Sequence, residues 1–316
     1  MRKLIVIAVV VVAIVAAVLT LRGGGAPRDV AVVIPPGASL TAAANALEKA
    51  GAIASANSFL LRAKLFGGDS AIRPGEYAIK QDMDAGDILA LLQSGKTLQR
   101  FFTVPEGQPS IIVAERLNKA PLLTGTVAVP PEGSLLPDSY AYTRGETRAS
   151  VLARMQKAMQ TAIAHAWKAR KPGIAVQTPS QAINLAAIVE KETGRASERR
   201  LVAAVYTNRL KLGMPLQADP TVIYPVTKGK PLGRRILRSE LDADNGYNTY
   251  RRTGLPAGPI TNPGKASIEA VLDPAASRAL YFVAQGDGSS AFAETLEQHN
   301  ANVARWYAYR RAKGEM

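Results

Sequence analysis

The stretch Ser180–Gly194, SQAINLAAIVEKETG, is apolar over most of its length and ends in two acids, Glu190 and Glu192, before a glycine that can stop a helix. Successive helical residues turn by about 100°, so the two carboxylates point roughly 200° apart and cannot share one site. Glu192 follows a stripe of apolar residues at helical spacing, which predicts that it faces the core. Burial favours a protonated carboxyl group, which is what a general acid requires. The alternative is a helix-end glutamate paired with an arginine.

The residues after this stretch predict a second helix, from Ser197 to Leu212, with arginines in its first turn. Positive charge at a helix N-terminus is unfavourable, so Arg199 and Arg200 are expected to pair with nearby acids, Glu190 included. This interpretation makes Glu190 a structural residue.

The composition of the 316-residue chain excludes several classes of site. There is no cysteine, so disulfides and thiolate zinc sites are excluded, and the only two histidines make a histidine metal site or a Ser-His-Asp triad improbable. We therefore expect carboxylate chemistry without a metal or cofactor. The formal charge of +14 indicates an anionic partner: nucleic acid, phospholipid headgroups or an acidic cell-wall polymer.

The N-terminal segment contains an apolar run, Leu4–Leu21, long enough to cross a bilayer and preceded by two basic residues. We predict that residues 1–22 form a cytoplasmic tip and a transmembrane anchor, that residues 23–28 form a flexible linker, and that the rest lies outside the cytoplasm. The expected location is the inner membrane, with the bulk of the chain in the periplasm. A cleavable signal peptide is the alternative. This placement argues against nucleic acid as the partner.

Residues 29–100 show the order strand, helix, helix, strand, followed by a third short helix, which resembles a LysM-like module. Such a resemblance implies binding of peptidoglycan or chitin-like sugars; the alternative is a small packing domain. Residues 101–175 are predicted to be a connecting region, with a proline- and glycine-rich loop before a long helix over 147–171. Met155 and Met159 lie on the apolar face of that helix and are predicted to be core residues.

Residues 176–316 are predicted to form the catalytic domain. LQADPTVIYPV (216–226) and NTYRRTGLPAGPITNPG (248–264) combine aromatic, amide and hydroxyl side chains with restricted loops, as sugar sites do. We predict a helix over 266–272, a buried strand over 280–284 and a closing helix over 292–308. The proposed cleft residues are Gln217, Asp219, Tyr224, Asn248 and Tyr250.

Four runs then occur in a characteristic order: AAIVEKETG (186–194), ASERRLVAAVYTNRLKLGMPLQADPTVIY (196–224), YNTYRRTGLPAGPITNPG (247–264) and LYFVAQGDG (280–288). With the N-terminal anchor and EGSLLPDSYAY (132–142), they resemble the MltG/YceG-like endolytic murein transglycosylases over nearly the whole chain. The resemblance implies cleavage of the β-1,4 bond between N-acetylmuramic acid and N-acetylglucosamine in nascent peptidoglycan, leaving 1,6-anhydro ends.

The resemblance also assigns the catalytic acid to the second glutamate of the E-K-E motif, Glu192. It implies peptidoglycan strands, the membrane and cell-wall synthases as partners, with no cofactor. One departure is Gly288-Ser289-Ser290, where relatives commonly carry glycine-glycine-histidine. The expected fold is α+β, with a single N-terminal transmembrane helix, a small LysM-like module and a mixed α/β catalytic domain. The competing hypotheses are a non-catalytic peptidoglycan-binding scaffold and, less favoured, an anchored nucleic-acid binder.

Overall fold

The computed structural model describes residues 25–67 and 70–314, which form two compact units. One unit runs to Arg100 and includes Ala141–Glu146; the other comprises Phe101–Tyr140 and the chain from Thr147 onward. The predicted anchor at residues 1–22 and the first two residues of the predicted linker lie outside the described residues. Within the described ranges, no helix is long and apolar enough to cross a membrane.

The first unit is a two-stranded sheet with three helices. Its elements are β1 (Val30–Ile34), α1 (Leu40–Lys49), α2 (Ala56–Phe66), β2 (Gly75–Ile79) and α3 (Ala85–Ser94). The strands pair antiparallel, with Val32 opposite Tyr77. Val32 and Ile34 are buried whereas Val33 between them is 42% exposed, as the two-residue period of a strand requires. This confirms the predicted strand–helix–helix–strand order.

The second unit is mainly helical and holds two small sheets. In chain order its elements are β3 (Arg100–Thr103), α4 (Ser110–Lys119), β4 (Ser139–Tyr142), α5 (Arg148–Lys168), α6 (Pro179–Glu192), α7 (Arg199–Lys211), α8 (Asp219–Thr227), α9 (Arg238–Asp242), α10 (Lys265–Leu272), β5 (Tyr281–Ala284), β6 (Ser290–Ala293) and α11 (Leu296–Ala312). The first residue of β3 and the last two residues of β4 are assigned to the first unit. β3 pairs with β4 and β5 pairs with β6. The α+β fold class is thereby confirmed.

Helix α6 is the centre of the second unit. Its N-cap is Thr178, whose hydroxyl accepts a hydrogen bond from the Gln181 amide, and Pro179 stands in the first turn, where a missing N–H costs nothing. The helix packs against α7 and α10, and its continuous run from Leu185 to Val189 is fully buried. Burying one large aliphatic side chain contributes about 1.5–3 kcal/mol, so this core fixes the position of the acids that follow.

Helix α5 confirms one prediction from the sequence, and the β5–β6 hairpin corrects another. Met155 and Met159 are 0% and 2% exposed, which confirms them as core residues of α5. The closing helix was expected to begin at Phe292, but residues 290–293 form β6 and the helix begins at Leu296. Phe292 lies opposite Phe282 in the β5–β6 hairpin, with ring centroids 5.9 Å apart, and this cross-strand contact favours the extended backbone.

Candidate active site

A cleft of about 320 Å³ lies at the C-terminal end of α6. Its walls come from α6, α7, β5, α11 and the segments around 217 and 250, which are distant in sequence. The residues that line it, hereafter the Glu192 cleft, are Glu192, Tyr206, Arg209, Leu216, Gln217, Asp219, Tyr250, Phe282 and His299. The structure thus brings four of the six sequence-predicted site residues together: Glu192, Gln217, Asp219 and Tyr250.

Glu192 is the last residue of α6 and is partly buried. The pKa of its carboxyl group is raised from the ordinary 4.5 to about 7, chiefly by burial and also by the charge of Asp219, against the opposing effects of a hydrogen bond with the Tyr206 hydroxyl and the charge of Arg209. The group therefore exists in both the protonated and the ionised form near neutral pH. A side chain in that condition can donate a proton and later accept one.

Glu190 occupies a different environment, as its helical phase predicts. Its side chain is 6% exposed; one carboxylate oxygen accepts a hydrogen bond from the Gly264 amide at 2.9 Å, and the other lies 4.0 Å from the Arg199 guanidinium. Arg199 also lies 3.7 Å from Glu106. The expected pairing of Glu190 with Arg199 is confirmed, and this acid connects α6 to α7 and to the residue before α10.

Asp219 and Tyr250 form a hydrogen-bonded pair on one wall of the cleft, with the Tyr250 hydroxyl 2.5 Å from the Asp219 carboxylate. Asp219 is the first residue of α8, where the helix N-terminus favours negative charge. Two contacts join the chain segments that carry the pair: the Gln217 amide donates to the Thr249 carbonyl, and the Ala218 amide donates to the Thr249 hydroxyl. These contacts to Thr249 hold the segment of Asp219 beside the segment of Tyr250.

Gln217 has a left-handed backbone, with φ of 54°, which is uncommon for a residue with a side chain. Its backbone turns between the buried Leu216 and Ala218, and its side chain is exposed beside Asp219. Conformations of this kind cost free energy and occur often at functional sites. Here the turn presents the Gln217 amide at the rim of the cleft.

Arg209 and His299 also line the cleft. The Arg209 guanidinium is buried and donates to the backbone carbonyls of Leu280 and Leu216, both at 2.7 Å. His299 stacks on Tyr281 with ring centroids 5.1 Å apart. Burial and the positive charge of Arg209 lower the pKa of the imidazole below its ordinary 6.5, which favours the neutral ring. Arg209 thus places a buried positive charge at the cleft, beside an aromatic imidazole.

Tyr224 and Asn248 are not among the residues that line the cleft. Tyr224 packs on Tyr247, with ring centroids 5.0 Å apart, and its hydroxyl is a hydrogen-bond partner of Glu132. Asn248 is 1% exposed; its side-chain amide donates to backbone carbonyls of the preceding turn, and its oxygen accepts from the Tyr250 amide at 3.0 Å. Because both polar ends of Asn248 are used internally, it positions Tyr250 and offers no group to a ligand.

Five cleft residues were not predicted as site residues from the sequence: the polar or charged Tyr206, Arg209 and His299, and the apolar Leu216 and Phe282. The first two lie three positions apart in α7, and Tyr206 is among the buried residues of that helix. An arginine on the apolar side of a predicted helix is the signal that identifies such a position. No group of three or more potential metal-ligating side chains occurs among residues 25–67 and 70–314.

Comparison with known proteins gives one family. The family model described as the YceG-like family matches residues 32–305. The chain is 30% identical over 318 aligned positions to the endolytic murein transglycosylase of Bacillus subtilis (strain 168), covering 90% of this chain and 86% of that protein. It is 28% identical to the endolytic murein transglycosylase of Streptococcus pneumoniae (strain D39), covering 87% of this chain but only 58% of that protein.

Among solved structures, the chain is similar to the 2.6 Å crystal structure of a YceG-like protein from Listeria monocytogenes. The two are 28% identical and superpose with a TM-score of 0.53, covering 87% of this chain and 99% of the Listeria chain. The likeness therefore extends over both units.

Proposed function

This chain belongs to the YceG-like family, and we propose that it is an endolytic murein lytic transglycosylase in which Glu192 carries out the proton transfers. The curated relatives from Bacillus and Streptococcus bear the name of this activity. The observation that carries the assignment of the acid is the placement of Glu192: partly buried, in a polar cleft, with a pKa raised by burial to about 7.

The reaction requires one group that is first an acid and then a base. Protonated Glu192 donates its proton to the bridging oxygen as the bond from C1 of N-acetylmuramic acid to O4 of N-acetylglucosamine breaks. The C6 hydroxyl oxygen of the same muramic acid then bonds to C1, and its proton passes to the Glu192 carboxylate. The acid is regenerated, no water is consumed, and the product end is a 1,6-anhydro sugar. Unlike the two-carboxylate glycosidases, this scheme needs no second carboxylate to activate water or bond to the sugar.

The cleft residues around Glu192 have complementary roles in this proposal. Positive charge develops at C1 as the bond breaks, and the Asp219 carboxylate, held by Tyr250, supplies a negative charge to the same cleft. Tyr206 and Arg209 favour the ionised form of Glu192 that remains after the proton leaves. Gln217 and Tyr250 are proposed to contact the glycan, since side-chain amides and aromatic rings are groups that bind sugars.

We further propose the cellular setting from the sequence. The apolar run at residues 4–21 anchors the chain in the inner membrane, and the remainder works in the periplasm beside cell-wall synthases. The first unit, with its strand–helix–helix–strand order, serves as a LysM-like module that binds glycan. A net charge of +14 suits attraction to an anionic wall polymer and membrane surface.

The test is the chemistry of the ends produced from nascent, uncrosslinked murein. The purified protein should generate 1,6-anhydro ends, identified by mass spectrometry after muramidase digestion. Glu192→Gln should abolish them, and the matched variant Glu190→Gln should retain them in its folded fraction. Hydrolysed reducing ends in place of anhydro ends, or undiminished cleavage by Glu192→Gln, would contradict the proposal. Glycan binding without cleavage by the wild-type protein would instead support the non-catalytic scaffold.

A further inference from the structure

A second groove, of about 710 Å³, lies along the N-terminal part of α6. It is formed by the start of α6, the residue Leu210 of α7 and the loop 253–259. Among the described residues that line it, none is charged, although the chain carries 39 lysines and arginines. Its polar side chains include Gln177, Gln181, Asn184 and Thr253, and we call it the amide groove.

Asn184 is the unusual residue of the amide groove. It is 8% exposed, and its side-chain nitrogen donates to the Pro256 carbonyl at 2.7 Å, which fixes the orientation of the amide. Its side-chain oxygen is buried and accepts no hydrogen bond from any described residue. A buried acceptor without a donor is unfavourable, so the position favours a ligand that brings an N–H or O–H group.

The amide groove and the Glu192 cleft draw residues from the same three parts of the chain: α6, α7 and the segment 250–259. Asn184 and Glu192 lie eight residues apart on α6, about 12 Å along the helix axis. Arg209 lines the cleft, and the next residue, Leu210, lines the groove. The loop that places Tyr250 in the cleft places Thr253 in the groove three residues later. A polymer that extended from the cleft toward the start of α6 would reach the groove.

The lining defines the chemistry of the occupant. The Gln181 side-chain oxygen accepts a hydrogen bond from the Gln177 backbone N–H at 2.7 Å. This leaves the side-chain NH₂ group of Gln181 as a donor for a ligand. Leu210, Leu255 and Pro256 add apolar surface beside the Asn184 acceptor. A neutral sugar bearing an acetamido group complements this lining. Its N–H and O–H groups can donate to the Asn184 oxygen, its oxygens can accept from the Gln181 NH₂ group, and its acetamido methyl group can contact the apolar surface. The charged ends of a peptide would find no counter-charge there.

We propose that the amide groove is a second glycan subsite, which binds a neutral N-acetylated sugar of the strand away from the bond that is cut. The inference rests on the proposed function, because it takes the occupant to be part of the same polymer. Such a subsite makes the enzyme bind strands that extend well beyond the reacting pair of sugars, and it gives the loop 253–259 a function that the Glu192 cleft does not explain.

The absence of cysteine from the chain permits a clean blocking experiment. Ser180→Cys introduces one thiol at an exposed position of the groove, and N-ethylmaleimide then occupies the groove. Gln160→Cys, labelled in the same way on the exposed side of α5, is the control. Both changes are made in the Glu192→Gln protein, and binding of the β-1,4-linked N-acetylglucosamine hexamer is measured by calorimetry.

Labelled Ser180→Cys should bind the hexamer about tenfold or more weakly than labelled Gln160→Cys, the effect of losing one or two hydrogen bonds. Asn184→Leu, checked for folding by tryptophan fluorescence, should weaken binding similarly. Equal hexamer affinities for the two labelled proteins would overturn the subsite. This outcome is distinct from failure of the proposed function, which is read from anhydro ends made by the unlabelled wild-type protein: that protein can cut murein while the groove binds nothing.

Discussion

Replacing Glu192 with glutamine should stabilise the second unit, and the gain should grow as pH rises. Burial raises the pKa of this carboxyl group from 4.5 to about 7. Each tenfold change in an ionisation equilibrium corresponds to about 1.4 kcal/mol, so keeping the ionised group in the folded protein costs about 3 kcal/mol. Glutamine has nearly the same shape and can still hydrogen-bond Tyr206, but it carries no charge to bury beside Asp219.

The sign of the pH dependence follows from which state binds the proton. Below pH 4.5 the carboxyl group is protonated in both the folded and the unfolded chain, so glutamate and glutamine differ little. Between pH 4.5 and about 7 the unfolded chain loses the proton while the folded chain keeps it, and glutamate becomes progressively destabilising. Above pH 7 both states are ionised, and the penalty stays at its full value of about 3 kcal/mol.

The measurement is urea unfolding followed by tryptophan fluorescence at pH 4 and pH 8. Both tryptophans, Trp167 and Trp306, lie in the second unit, so the signal reports on the unit that holds Glu192. Glu297→Gln, at an exposed acid of α11, is the control and should show no comparable gain at pH 8. An equal free energy of unfolding for wild type and Glu192→Gln at pH 8 would refute the reasoning that burial of Glu192 sets its pKa.

Three further variants test the neighbours of Glu192. Tyr206→Phe removes a hydrogen bond that lowers the pKa of Glu192, so the alkaline limb of the kcat/KM profile should move to higher pH. Asp219→Asn removes a charge that raises the same pKa, so that limb should move to lower pH, with kcat reduced about tenfold to a hundredfold by the lost charge. If both limbs shift in the same direction, the variant that moves against its expected sign contradicts the role assigned to that residue. Glu190→Gln should lower the free energy of unfolding by about 1–3 kcal/mol in urea, because Arg199 loses a buried partner, while the pH profile of the folded enzyme stays unchanged.

Local features of the chain were predictable because they depend on helical and strand periods. The 100° step of a helix separated Glu190 from Glu192, and the helical spacing of Met155 and Met159 placed both in the core. These inferences need only the residues within one or two turns, which a sequence displays directly.

Features that depend on distant contacts were beyond such reasoning. Tyr224 and Tyr250 are both aromatic residues in restricted segments, yet one pairs with Glu132 and the other with Asp219. The closing helix was predicted to begin at Phe292, but the pairing of Phe292 with Phe282 makes residues 290–293 a strand. In each case a contact with another segment of the chain decides the outcome.

The two acids at the end of α6 show how one helix can separate a structural role from a chemical one. Both lie in the last turn, where the negative end of the helix dipole disfavours a carboxylate. Glu190 offsets that penalty with Arg199 and the Gly264 amide, whereas Glu192 meets a tyrosine hydroxyl, a second carboxylate and only one more distant guanidinium. The incomplete compensation at Glu192 is therefore what makes it able to act as acid and then as base, and the stability it costs is what the glutamine variant should recover.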